Sequence, residues 1–132
     1  QELRDFVQSV LREAVGADLA YYNQGGIRSI FRKGPVTIRD VWTVEPFGNT
    51  IVLVRVRGDQ VGGYLREDLE AQAVALDPTR EYIVATSSYV ADHLDKYFGS
   101  GPMHKEDSGT LVRDSIIAHL REHGLPTVGR DR

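Results

Sequence analysis

Two short runs concentrate the binding chemistry of this chain: Asn23-Gln24-Gly25-Gly26-Ile27-Arg28 and, further on, Pro46-Phe47-Gly48-Asn49. Asn23 offers an amide that both donates and accepts, and Arg28 offers a rigid fork of donors suited to an anion. Gly25 and Gly26 remove the side chains that would keep a ligand from the backbone, and they permit positive φ. Phe47 stands between a proline and a glycine, which places its ring on a turn. Together these residues describe a polar and aromatic ligand pocket at the ends of strands.

Chemistry that makes or breaks bonds is harder to find. With no cysteine, a thiolate metal site and a cysteine nucleophile are excluded. No Ser-His-Asp arrangement and no phosphate P-loop is present. His119 and His123 have the i, i+4 spacing of a zinc pair on a helix, but Glu122 is misplaced for a His-Glu-x-x-His site and no third ligand is near. A solvent-exposed helix end, where cations favour the dipole, is the better reading of that pair. The domain is therefore expected to bind and not to catalyse.

The elements that must position these residues can be read from periodicity. Leu3, Phe6, Val7, Val10, Leu11 and Ala14 recur at helical spacing and stop at Gly16. Residues 17–22 read as a first strand, feeding directly into the glycine-rich run. Thr37 with Asp40 suggests a short capped helix over 38–42. Residues 51–56 are rich in β-branched side chains and should form a central strand. A helix is predicted over 59–72, with Gly62-Gly63 obscuring its start, then a strand over 82–86 and a helix over 89–97. Residues 98–109, with three glycines and a proline, read as a loop. Leu111, Ile116, Ile117 and Leu120 define one face of a last helix over 110–123. Mixed strands and helices without strict alternation indicate an α+β domain on a mixed β-sheet flanked by helices.

Composition agrees. At 132 residues, 41% hydrophobic and 27% charged, the chain can bury one core as a single domain spanning 1–132. A net charge of −3 gives no reason to expect nucleic acid or an anionic membrane as partner. No apolar stretch is long enough to span a bilayer. The chain starts inside a helix-like pattern without a signal peptide, so it reads as a fragment of a longer protein.

At the two runs the chain resembles the C-terminal domain of 5'-nucleotidases and related UDP-sugar hydrolases. That family carries Asn-Gly-Gly-Gly-Ile-Arg after an Ala-Asp-hydrophobic-Ala strand. Here the strand reads Ala17-Asp18-Leu19-Ala20, and Gln24 replaces one glycine. Gly34-Pro35-Val36-Thr37, Pro46 to Asn49, Leu76-Asp77-Pro78-Thr79-Arg80-Glu81-Tyr82 and Val84-Ala85-Thr86 follow in the family's order. The central insert, residues 59–75, is shorter than in relatives.

The resemblance implies roles residue by residue. Asn23, Gly25, Gly26 and Arg28 would face a nucleotide, Arg28 toward its phosphate. Phe47 would form one wall of an aromatic clamp on the base, and Tyr89 the other. Asp95 would hold the ribose hydroxyls, although His93-Leu94-Asp95-Lys96 replaces a Gly-Gly-Asp-Gly turn and changes the backbone shapes available there. Each residue has a plainer rival: Arg28 a solvated side chain, Phe47 a core ring, Tyr89 the buried face of its helix, Asp95 a surface carboxylate. The catalytic signatures of the family's N-terminal metallophosphoesterase domain are absent from this sequence. The resemblance thus implies a nucleotide or nucleoside ligand, no cofactor in this domain, and an N-terminal catalytic domain of the same parent chain holding two divalent metal ions. It also implies a periplasmic, extracellular or cell-surface site. A thiosulfohydrolase-type sulfur-oxidation enzyme and a degenerate interaction domain are the alternatives.

Overall fold

The computed structural model describes residues 2–23, 45 and 48–123. Helix α1 (Glu2–Val15) buries Phe6, Val7, Val10 and Leu11, the i, i+3/i+4 stripe read from the sequence, while Ala14 on the same stripe is exposed. Gly16 closes it at φ +65°, with the Ala17 N–H donating to the Arg12 carbonyl at 3.0 Å. Strand β1 (Leu19–Tyr21) follows.

Strand β2 (Thr50–Arg57) is central, as its β-branched content predicts, between β3 (Glu81–Ser87) and β4 (His104–Leu111). The sheet order is β1-β3-β2-β4, with β1 parallel to β3 and the other two pairs antiparallel. The sheet is mixed and flanked by helices, as the sequence indicates.

Side chains alternate across the sheet and feed two cores. Tyr22, Ile51 and Ala85 join α1 and the last helix, α5 (Val112–His123), on one face. Tyr21, Val52, Val54, Val56 and Val84 face the other side. There they meet Leu65 and Leu69 of α2 (Gly63–Ala71), Val90 and Ala91 of α3 (Ser88–Ala91), and Tyr97 of α4 (Leu94–Tyr97). The strand period of two sorts consecutive residues into opposite layers.

Three sequence expectations change. Residues 98–109 are not all loop, because β4 begins at His104. Every residue of β4 before Leu111 is exposed, so it carries no apolar alternation, and its pairing with β2 is what makes it a strand. Its polar sequence suits an edge position. A register shift opposite Thr50 to Val52 accommodates Gly109 at φ +79°. The helix predicted over 89–97 is two helices, broken where His93 leaves helical geometry at φ −134°, ψ 44°. The helix predicted over 59–72 is a 3-10 turn, Gly58–Gln60, followed by α2. The helix predicted over 38–42 lies outside the described residues.

A largely buried ion pair links the layers. The Arg4 Nη1 meets Asp68 Oδ1 at 2.9 Å, while Arg4 Nε donates to the Tyr22 carbonyl at 2.9 Å and the guanidinium lies over the Tyr21 ring. This binds α1 to α2 around the end of β1, the strand that leads into the glycine-rich run.

Candidate functional site

Asn49 is the junction on which the site is built. Its backbone carbonyl accepts the Val112 N–H at 2.9 Å, fixing the start of α5. Its side-chain oxygen accepts the Tyr89 N–H at 2.9 Å and the Ser88 hydroxyl at 3.0 Å, fixing the start of α3. Its Nδ2 donates to Glu45 Oε2 at 2.7 Å, and its own N–H donates to the same oxygen at 3.1 Å. The other Glu45 oxygen accepts the Tyr22 hydroxyl. Glu45 is 1% exposed, so a buried carboxyl whose two oxygens are both hydrogen-bonded organises this junction. Burial first, and then the Glu45 partner, push the Tyr22 hydroxyl far above the ordinary tyrosine pKa.

This network puts the end of the Pro46 to Asn49 run directly against Tyr89, forty residues away in sequence. Ser87 caps α3 by accepting the Val90 N–H at 3.2 Å, and the Ser88 hydroxyl receives the Thr50 N–H at 3.1 Å. The Tyr89 backbone is therefore held on both sides. Its ring is 44% exposed and so is not the buried face of its helix.

His93 packs its ring on Tyr89 at 4.6 Å with a 35° tilt. Its Nδ1 lies 2.8 Å from the Tyr89 carbonyl, to which it donates. The backbone of His93 has negative φ, and Leu94 and Lys96 are helical, so this turn uses no left-handed conformation. Leu94 packs against the core and Lys96 stands over aromatic rings.

The ring array extends beyond Tyr89. Tyr97 contacts Tyr89 at 6.3 Å, Tyr64 at 5.5 Å and Tyr21 at 5.8 Å. Burial, followed by the neighbouring Tyr89 hydroxyl, raises the Tyr97 pKa. Asp95 is exposed in the first turn of α4, on the same short helix as Tyr97.

Of the other residues singled out in the sequence, Asn23 is half-buried two residues past the end of β1. Gly25, Gly26, Arg28 and Phe47 lie outside the described residues. His119 meets Phe6 of α1 edge-on at 5.4 Å, while His123 stands at the exposed end of α5 with its ring 4.6 Å from that of His119. Sequence reasoning missed Glu45, Tyr64 and Tyr97, and it gave Asn49 no role. The one available signal was an asparagine at the entrance to a strand, a residue type that satisfies backbone groups at such junctions.

Clefts among the described residues open elsewhere. One of about 510 Å³ is lined by Arg66, Glu70, Leu76 and Pro78 among others, and one of about 320 Å³ by Asp5, Gln8, Arg12 and Asp68 among others. Neither includes Tyr64, Tyr89 or Asp95.

Comparison with known proteins gives a consistent picture. The family model described as the 5'-nucleotidase C-terminal domain matches residues 1–75. The chain is 36% identical over 112 residues to Endonuclease YhcR of Bacillus subtilis, covering 84% of this chain and 8% of that protein. It is 30% identical over 112 residues to Protein UshA of Yersinia enterocolitica, covering 64% of this chain and 20% of the relative. The 5'-nucleotidase precursor of Thermus thermophilus superposes with a TM-score of 0.75 at 20% identity, over 98% of this chain and 34% of that structure. The chain thus spans no more than a fifth of the length of these two curated relatives.

Proposed function

Because this chain belongs to the family of 5'-nucleotidase C-terminal domains, we propose that it is the nucleotide-gripping, substrate-selecting domain of a longer phosphoesterase. The observation that carries this reading is the half-exposed Tyr89 ring on a backbone fixed by Asn49 of the Pro46 to Asn49 run. A rigidly mounted open ring is a stacking platform for a base, and stacking accepts any base. Phe47 would cover the base from the other side, Asp95 would accept the ribose hydroxyls, Asn23 would face the nucleotide and Arg28 would meet its phosphate. The substrate class would be a nucleoside 5'-phosphate or a nucleotide sugar. The exposed, anchored tyrosine favours this over the reading of a peptide-arm pocket of the thiosulfohydrolase type.

In this reading hydrolysis belongs to an N-terminal domain of the parent chain. Two divalent metal ions there would polarise the phosphoester and activate water. Residues of the present chain bind and orient. The Thermus protein is a precursor, which supports export of the parent to a periplasmic, extracellular or cell-surface site. No helix among the described residues is long and apolar enough to cross a membrane.

Titration of the chain with AMP or adenosine, followed by NMR of the tyrosine rings, tests the reading. Tyr89 resonances should shift saturably, and Tyr89→Ala should abolish the response. Binding that survives intact in Tyr89→Ala would remove the ring from the site.

A further inference from the structure

Tyr89 rides on α3, a single helical turn of four residues, Ser88–Ala91. A helix that short does not hold itself, because it fixes several residues for very few internal hydrogen bonds. The place of the ring therefore depends on what is tied to the turn from outside. Ser87 and Asn49 tie its N-terminal side.

Its C-terminal side is tied as completely. The Ser88 and Val90 carbonyls accept the backbone N–H groups of Asp92 and His93, at 3.1 and 2.9 Å. The Tyr89 carbonyl accepts the Asp92 N–H and the His93 Nδ1. The last carbonyl, that of Ala91, accepts the Lys105 ammonium at 2.9 Å. Carbonyls at a helix end have no partner within the helix, and a lysine there both donates to them and complements their partial negative charge.

Lys105 comes from β4, the strand without apolar alternation. It lies opposite Val54 of β2, whose side chain faces the same core as Val90 and Ala91. The strand period of two therefore directs Lys105 and Asp107 to the α3 side and Glu106 to the other face. Asp107 accepts the Thr50 hydroxyl, and the Thr50 N–H is held by Ser88. Side chains two apart on a strand are about 6.8 Å apart, close to the length of about 6 Å of a four-residue turn. One strand thus reaches α3 at both ends, through Thr50 at its start and directly through Lys105 at its finish.

We propose that Lys105 is a positioning residue for the nucleotide site: it pins the C-terminal end of α3 so that the Tyr89 ring stays where a base stacks on it, and it touches no part of the ligand. The role rests on the nucleotide reading of Tyr89 given above. Without the ammonium, α3 leaves its position part of the time, and affinity falls in proportion to the competent fraction.

Calorimetric titration with adenosine and with AMP tests this, because both ligands carry the base and only AMP carries the phosphate. Lys105→Met keeps the aliphatic stem and loses the donor, so both ligands should weaken by the same factor, about three- to tenfold. Lys105→Arg, which keeps a donor, should recover most of the loss. Glu106→Gln, on the opposite face of β4, should leave both affinities within about twofold. In Lys105→Met the Tyr89 N–H should exchange faster with solvent deuterium while the global melting temperature hardly moves, since only a local tether is lost. If AMP alone weakens, Lys105 is a phosphate contact and the positioning role is overturned. Unchanged affinity for both ligands, an equal loss in Glu106→Gln, or global unfolding of Lys105→Met overturns it as well, and the reading of Tyr89 stands. If neither ligand binds the unaltered chain, the reading of Tyr89 fails and this role fails with it.

Discussion

The side-chain oxygen of Asn49 accepts the backbone N–H of Tyr89 at 2.9 Å, joining the turn before β2 to the helix that follows β3. The bond ties the end of the Pro46 to Asn49 run to a residue forty positions further along the chain. Asn49 also satisfies Glu45 and Ser88, so its loss leaves several polar groups short of partners. Asn49→Ala should destabilise the fold by about 1–3 kcal/mol in urea titration and weaken AMP binding through Tyr89. Unchanged stability together with unchanged binding would show that the junction holds without it.

Alkaline pH should weaken the fold through Tyr22. Its folded pKa is raised by burial and by Glu45, whereas the unfolded value is near 10. A raised pKa means that the stabilisation is complete below pH of about 10 and is lost progressively as pH climbs from there toward the folded value. Tyr21 and Tyr97 are shifted in the same direction and add to the slope. Melting temperatures measured from pH 8 upward should fall beyond about pH 10, and Tyr22→Phe should flatten that fall. Near neutrality the same variant should cost about 1–3 kcal/mol, because Glu45 loses a buried donor. An equally steep alkaline fall in Tyr22→Phe would assign the titration to other groups.

The Arg4–Asp68 pair has side chains only 10% and 13% exposed. Removing one partner strands the other, so Arg4→Met should destabilise by about 3–5 kcal/mol. The double variant Arg4→Met with Asp68→Leu should recover much of the loss, because it leaves no unpaired charge. Additive losses in the double-mutant cycle would contradict a direct coupling.

Gly63→Ala forces a left-handed φ on a side chain and drives Cβ onto the Lys96 carbonyl. It should cost at least about 1–3 kcal/mol and displace Tyr64 from Tyr97, seen as a change in near-ultraviolet dichroism. A variant with unaltered dichroism and stability would show that the α2–α4 approach is looser than its glycines indicate.

Arg28→Ala, in a parent protein with its catalytic domain, should raise KM while leaving the melting temperature almost unchanged. A charged hydrogen bond to phosphate is worth about 1.5–3 kcal/mol in binding. The present chain alone, given manganese, cobalt or zinc, should show no phosphatase turnover. Activity that survives repurification and vanishes with Asp95→Ala would place catalysis in this domain.

What the sequence determined by itself is the part carried by local pattern. The apolar stripe of α1, the β-branched run of β2 and the stop at Gly16 depend on neighbours within a few residues, and burial follows their period. The ordered motifs likewise sufficed to point to the family. Tertiary structure alone decided the rest. β4 is a strand because the backbone of β2 pairs with it, and its polar side chains leave no periodic trace of that. Asn49, Glu45 and Tyr22 meet through hydrogen bonds between residues far apart in the chain, and no spacing rule relates them. Tyr64 became a neighbour of Tyr97 because two glycines let one helix approach another, a contact set by packing and not by any property of Tyr64 itself.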